Sequence, residues 1–316
     1  SILSAIFGKM NLIFLGLLLL LRGASGAGLR KPMQSRGRLA LYRDPSFWKA
    51  VDKEVRLESA PRVRAMLEGA KAALESETLE PEYGWRPHPR IVGRAAQPLA
   101  EAADGQCVEI DNFVAGLTAR PVWDPPAWFG DLERKVGPAA RAEVTALEQD
   151  LASFPDLESP WTGVNGFKSI RLFESFSQQP TVSSALFPET MKTLAEVLPT
   201  TLLGVRHCMM SCQRPGTGIA RHTDGSNTCL TTHLGLRLGD PPERCGIVIG
   251  DGSANCPETT VHWREDKAFL YDTSFEHHTY NESGEPRYIL HVDTYHPELD
   301  SDERLALTQL IALRRR

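Results

Sequence analysis

The residues of this chain best suited to chemistry begin at His222-Thr223-Asp224 and continue with His277 and Arg287. Two neutral imidazoles and one carboxylate can hold Fe(II) on one face and leave the opposite face open for a co-substrate and O2. Arg287 follows His277 by ten residues. A guanidinium there can clamp a carboxylate of the co-substrate by two parallel hydrogen bonds. Taken alone, a histidine two residues before an aspartate is a weak signal in a chain with nine histidines. The order around it is stronger. A turn-rich stretch, RPGTGIA, precedes His222, and about fifty residues separate the two histidines.

Elements able to position such residues lie beyond residue 160. KSIRLFES, LLGVRHCMMS, CLTTHLGLRL, GIVIG, TVHW, KAFLYD and RYILHVDTY are short apolar or alternating runs separated by Gly, Pro, Asn and Asp. Many short strands with frequent turns predict a mainly β barrel or sandwich. Helices are expected over 188–198 and 301–314 to flank it, with another after Pro138. Alternation puts Thr231, His233 and Arg237 on one face of their strand, opposite Leu230, Leu234, Leu236 and Leu238. Arg287, His291 and Asp293 likewise oppose Tyr288, Leu290 and Val292. Polar residues on one face and apolar ones on the other suit a barrel that holds a polar ligand. His277 and His278 fall on opposite faces, so only one of them can ligate. His291 reads as a satisfied core histidine, His207, His262 and His296 as structural ones, and the tryptophans as packing residues.

The stretch from about 112 to 299 resembles the aspartyl/asparaginyl β-hydroxylase family of Fe(II)/2-oxoglutarate dioxygenases. The matching pieces are VAGLTARPVW, LFPET, RPGTGIARHTDGSN, THLGL, DTSFEHH and HVDTYHPEL. The resemblance implies a double-stranded β-helix core, with His222 and His277 as iron ligands. It implies Ser211, His233 and Arg287 as 2-oxoglutarate contacts, and Phe173 near an aromatic position of the same pocket. Fe(II), 2-oxoglutarate and O2 are the expected cofactor and co-substrates. The expected reaction is hydroxylation of an unactivated C–H, first of all the β-carbon of Asp or Asn in a protein. Family members that modify EGF-like domains carry a small uncharged residue at the position of Asp224, and an arginine at that of Thr231. Asp224 with Thr231 therefore suggests a lipid or small acidic substrate as the alternative; a cupin-like binding module without turnover is a separate one, against which His222, His277 and Arg287 together argue. Asp224 has two readings, the third ligand of a facial triad or a turn residue in TDGSN.

Length, composition and charge set outer limits. At 316 residues, 41% hydrophobic and 24% charged, the chain has the composition of a globular protein, and a net charge of −5 gives no electrostatic argument for nucleic acid, which is not an expected partner. Met10, an apolar run from Leu12 to Leu21 and small residues at 24–27 read as a secretory signal or a membrane anchor over 1–28. This predicts an endoplasmic reticulum or Golgi lumen setting. Residues 29–110 read as a helical extension and linker, with Ser46 as a cap and Pro61 dividing two helices. Residues 111–316 read as the dioxygenase-like domain. In an oxidising lumen, Cys245 and Cys256 are the expected disulfide pair, and Asn281-Glu282-Ser283 is a glycosylation acceptor sequence.

Overall fold

The structure is a computed structural model that describes residues 41–75, 102–153, 159–164, 166–174, 179–198 and 203–316. The apolar start and most of the 80–110 linker lie outside the described residues. Among those described, no helix is long and apolar enough to cross a membrane.

Among the described residues, the helices α1 (Pro45–Glu54) and α2 (Pro61–Glu75) precede the sheets, each with proline in its first turn, where the missing N–H costs nothing. Asp44 rather than Ser46 caps α1, accepting a 2.8 Å hydrogen bond from the Ser46 amide. Next come β1 (Val122–Trp123), α3 (Gly137–Ser153), β2 (Thr162–Val164), β3 (Phe167–Arg171) and α4 (Pro188–Val197). The barrel strands are β4 (Leu203–Gln213), β5 (Thr217–His222), β6 (Cys229–Arg237) and β7 (Cys245–Ile249), then β8 (Thr259–His262), β9 (Ala268–Tyr271), β10 (His277–Asn281) and β11 (Arg287–Tyr295). Helix α5 (Ser301–Arg314) closes the chain behind an Asp300/Glu303 capping box.

These strands form a seven-stranded sheet, β1-β9-β6-β11-β4-β3-β2, and a four-stranded sheet, β5-β10-β7-β8. From β4 onward successive strands leave and re-enter the two sheets as a double-stranded β-helix, and every pairing is antiparallel. The outer face of the large sheet is apolar. Met210, Leu234, Leu236, Tyr288, Leu290 and Val292 pack there against Val144 and Leu147 of α3 and Leu194 of α4. Ile247, Ile249, Trp263, Tyr271 and Ile289 form a smaller cluster between the sheets. β11 alternates as expected. β6 does not, because its pairing with β11 jumps from Ile289↔Gly235 to Tyr288↔Arg237. The extra residue reverses the faces beyond it. Arg237 therefore lies 4.5 Å over the outer Tyr288 ring, and Leu238 packs into the inner cluster.

Two further expectations fail on local geometry. Cys245 and Cys256 are both free thiols. The β7–β8 hairpin pairs Gly246 with His262, while Cys256 sits beyond Ile249, at the other end of the ladder from Cys245. Asn281 is fully buried, its amide donating to Gln213 O and Glu285 O, so in the folded protein it is no glycan acceptor.

The N-terminal helices are built into the molecule. Phe47, Val51, Val63 and Leu67 share a buried cluster with Leu307 and Leu310 of α5, and Arg62 Nε donates to Glu303 at 2.6 Å. Leu67→Ala is expected to lower the unfolding free energy by about 2–5 kcal/mol, as measured by chemical denaturation.

Candidate functional site

β5 and β10 are neighbours in the small sheet, with His222 directly opposite His277. The imidazole centroids lie 4.3 Å apart. Both rings are held by the same device, a hydrogen bond from Nδ1 to the carbonyl two residues earlier. His222 bonds Ala220 O at 2.7 Å and His277 bonds Phe275 O at 2.9 Å. A carbonyl can only accept, so each Nδ1 carries the proton and each Nε2 keeps its lone pair for a metal. Burial, and then the neighbouring His222, push the His277 pKa down to about 4, so the ring is neutral at neutral pH.

Asp224 completes the group. One ligand atom from each of His222, Asp224 and His277 lies within 4.8 Å of the others. Asp224 Oδ1 is 3.8 Å from His222 Nε2, a span that two ligands about 2.1 Å from a common ion can make. The turn after it is made by Gly225, whose φ of +71° is readily adopted only by glycine, and the Asp224 amide donates to Thr273 O. The Asp224 carboxylate meets Arg206 Nη1 through Oδ2 at 2.8 Å. Enclosure would raise its pKa. Arg206, then His277 and His222, reverse that and hold it well below the usual carboxylate range. His278, on the other face of β10, is half-buried and takes no part in this group.

The inner face of the large sheet forms the adjoining wall. Gln213 and Arg287 are paired in register, as are Ser211 and Ile289, His233 and His291, and Thr231 and Asp293. Arg287 is 1% exposed, lies 4.2 Å over the Trp263 ring, and donates from Nη2 to Gln213 Oε1 at 2.5 Å. Burial pushes its pKa down to about 10, which leaves it cationic at neutral pH. Arg287 Nε and Nη1, Ser211 Oγ and His233 Nδ1 are buried and have no hydrogen-bond partner. Buried polar atoms are rarely left so, and four of them around one guanidinium suit an anionic ligand such as a dicarboxylate. The donor set therefore fits 2-oxoglutarate, and the histidine–carboxylate group fits Fe(II).

Phe173 is not brought to this wall. It bridges to Pro180 and packs on the outer, helix-covered cluster. The aromatic residues that touch the site are Trp263, Phe269 and Tyr271, all against His233. Strand position accounts for the difference: these three come from β9 and the approach to it, whereas Phe173 lies past the end of β3. Sequence reasoning also missed Gln213 and the arginine at 206. Their signal was present, since both are polar residues inside an apolar strand. Residues 106–109, the end of the segment read as a linker, lie on the loops carrying the site, with Cys107 N on Ser274 O and Glu109 N on Gly225 O.

A buried network joins the two halves. His233 Nε2 is 3.0 Å from His291 Nδ1, and His291 Nε2 is 3.2 Å from Asp293 Oδ1. Thr231 Oγ1 donates to the same oxygen at 2.6 Å, and Arg206 Nε reaches Asp293 Oδ2 at 3.2 Å. His291 is thus satisfied, as expected, but by the polar interior rather than an apolar core. Asp293 is fully buried. Asp293→Ala leaves Arg206 paired with Asp224 but removes the buried acceptor of Arg206 Nε, Thr231 Oγ1 and His291 Nε2, and is expected to destabilise the fold by about 1–3 kcal/mol, measured by urea unfolding.

A jelly-roll barrel with two histidines and a carboxylate at its mouth defines the class. Within it, a family model for aspartyl/asparaginyl beta-hydroxylase matches residues 138–297, and the chain belongs to that family. It is 37% identical over 117 residues to the human aspartyl/asparaginyl beta-hydroxylase, a match covering 36% of this chain and 14% of that protein. It is 36% identical over 106 residues to aspartate beta-hydroxylase domain-containing protein 2 of Xenopus tropicalis, covering 33% and 26% respectively. It is 25% identical over 190 residues to the ornithine lipid ester-linked acyl 2-hydroxylase of Rhizobium tropici, covering 58% and 63%. The chain thus spans only 15% and 14% of the mouse and human hydroxylases it matches.

Proposed function

We propose that this chain is an Fe(II)/2-oxoglutarate-dependent dioxygenase that hydroxylates the β-carbon of Asp or Asn in a protein substrate. The observation that carries the reading is the adjacency of two sites on one barrel interior: the His222/Asp224/His277 group and the wall of unpaired donors around Arg287. When bound, Fe(II) with 2-oxoglutarate and O2 supplies oxidative decarboxylation coupled to hydroxylation of an aliphatic C–H. His222 and His277 present Nε2 in the orientation set by their carbonyl contacts, and Asp224 adds the anionic ligand. Arg287 and Ser211 receive the distal carboxylate, while Trp263 and Gln213 hold the guanidinium in place and keep water from its face. Tyr271 and His291 set the orientation of His233 beside them.

A second reading, hydroxylation of a lipid acyl chain, is favoured by the similarity to the ornithine lipid hydroxylase over more than half of both chains. Under either reading, protein supplied with Fe(II) and 2-oxoglutarate releases succinate and CO2 slowly without a prime substrate, and His222→Ala abolishes the release. Turnover that survives His222→Ala overturns the site. Faster succinate release with Asp- or Asn-containing EGF-like peptides supports the first reading; stimulation by acyl lipids alone replaces it with the second. Arg287→Lys keeps the charge but loses the fork, so the KM for 2-oxoglutarate is expected to rise roughly 10–100-fold with a smaller change in kcat.

A further inference from the structure

Arg206 stands on β4, outside both groups described above, yet it is the most heavily engaged side chain near them. Its side chain is 11% exposed. Nη1 donates to Asp224 Oδ2 at 2.8 Å, and Nε to Asp293 Oδ2 at 3.2 Å. Nη2 lies 2.9 Å from Thr273 Oγ1, 3.3 Å from Thr231 Oγ1 and 3.3 Å from Asp293 Oδ1. One planar fork therefore bridges a carboxylate of the metal group to a carboxylate of the network behind the co-substrate wall. A guanidinium can do this because its donors diverge at set angles; an ammonium on a flexible stem cannot.

The contact to Asp224 is selective. Arg206 occupies Oδ2, whereas Oδ1 is the oxygen near His222 Nε2. Thr273 reinforces the arrangement from both sides, its Oγ1 on Arg206 and its carbonyl on the Asp224 amide.

We infer that Arg206 is a positioning residue that holds Asp224 as a one-oxygen metal ligand and joins the metal group to the Asp293–His291–His233 chain. The inference rests on the proposed role of Asp224 as a ligand. Arg206 neutralises the oxygen the metal does not use and prevents the carboxylate from rotating away. Losing such an outer partner typically weakens metal affinity 10–100-fold.

The test is a double-mutant cycle in metal-free protein, with Mn(II) as an air-stable probe and affinity read from the free Mn(II) resonance signal. Arg206→Gln is expected to weaken Mn(II) binding roughly 10–100-fold, with Arg206→Lys between it and the unmodified protein. In an Asp224→Ala background the Arg206→Gln effect is expected to vanish, because the carboxylate it acts through is gone. An equal effect in both backgrounds, or no effect in either, overturns the inference and leaves Asp224 as a ligand. An Asp224→Ala variant that binds Mn(II) as tightly as the unmodified protein overturns the ligand reading itself. If Arg206→Gln fails to give a native circular dichroism spectrum, Arg206→Lys is carried through the same cycle with the same criteria.

Discussion

The pairing of β5 with β10 is the constraint on which the site depends. His222 and His277 face one another only because they sit opposite in an antiparallel ladder. A slip of one residue would send one imidazole to the other face of the sheet. The register shifts between this pair and Thr279↔Ile219, and beyond the shift a glycine lets the strands come close. A Cβ at Gly218 would lie 2.3 Å from the Thr279 carbonyl, so the two strands approach more closely than any other residue would permit. On its other side β10 pairs with β7, His277 opposite Ile249, which holds the strand from both edges.

The rest of the architecture follows from putting polar groups where a sandwich usually keeps its core. Two packed sheets normally bury apolar residues between them. Here much of the inner face of the large sheet is Ser211, Gln213, Thr231, His233, Arg287, His291 and Asp293, and the principal apolar layer is on its outside under α3 and α4. An unpaired ion in that interior would cost several kcal/mol. Asp293 is therefore surrounded by Arg206, His291 and Thr231, and its pKa is held well below the usual carboxylate range. Burial opposes that shift, and the Arg206 charge is the largest factor that overcomes it.

Legibility in the sequence tracked the strength of the pattern. β11 was readable to the residue because Arg287, His291 and Asp293 fall on one face and Tyr288, Leu290 and Val292 on the other. α4 and α5 were readable from their spacing, and the order histidine, aspartate, histidine marked residues that the fold brings together. β5 and β10 were not readable. Their residues, TGIARH and HHTYN, are short and mixed because one side faces the barrel interior and the other is more exposed. The faces of Arg237 and Leu238 were misread because a bulge has no marker in an alternating pattern. Phe173 was misplaced because a resemblance carries over a position, whereas the end of β3 decides where the ring goes.

Arg206 was overlooked for a different reason. An arginine in an apolar strand has no identifiable partner until tertiary structure places Asp224 and Asp293 on either side of it. The arrangement limits what the site can recognise. β11 carries Arg287 at its start and Asp293 near its end and is hydrogen-bonded along both edges, so the guanidinium of the donor wall and the anchor of Arg206 ride on one rigid strand. Both interior arginines have assignments within that frame, Arg287 to the donor wall and Arg206 to two carboxylates. A substrate carboxylate reaching the metal group would meet Asp224 with its nearest cation already engaged. Recognition of an acidic side chain must therefore draw on residues at the rim, while an uncharged C–H segment could enter the same space without disturbing any ion pair.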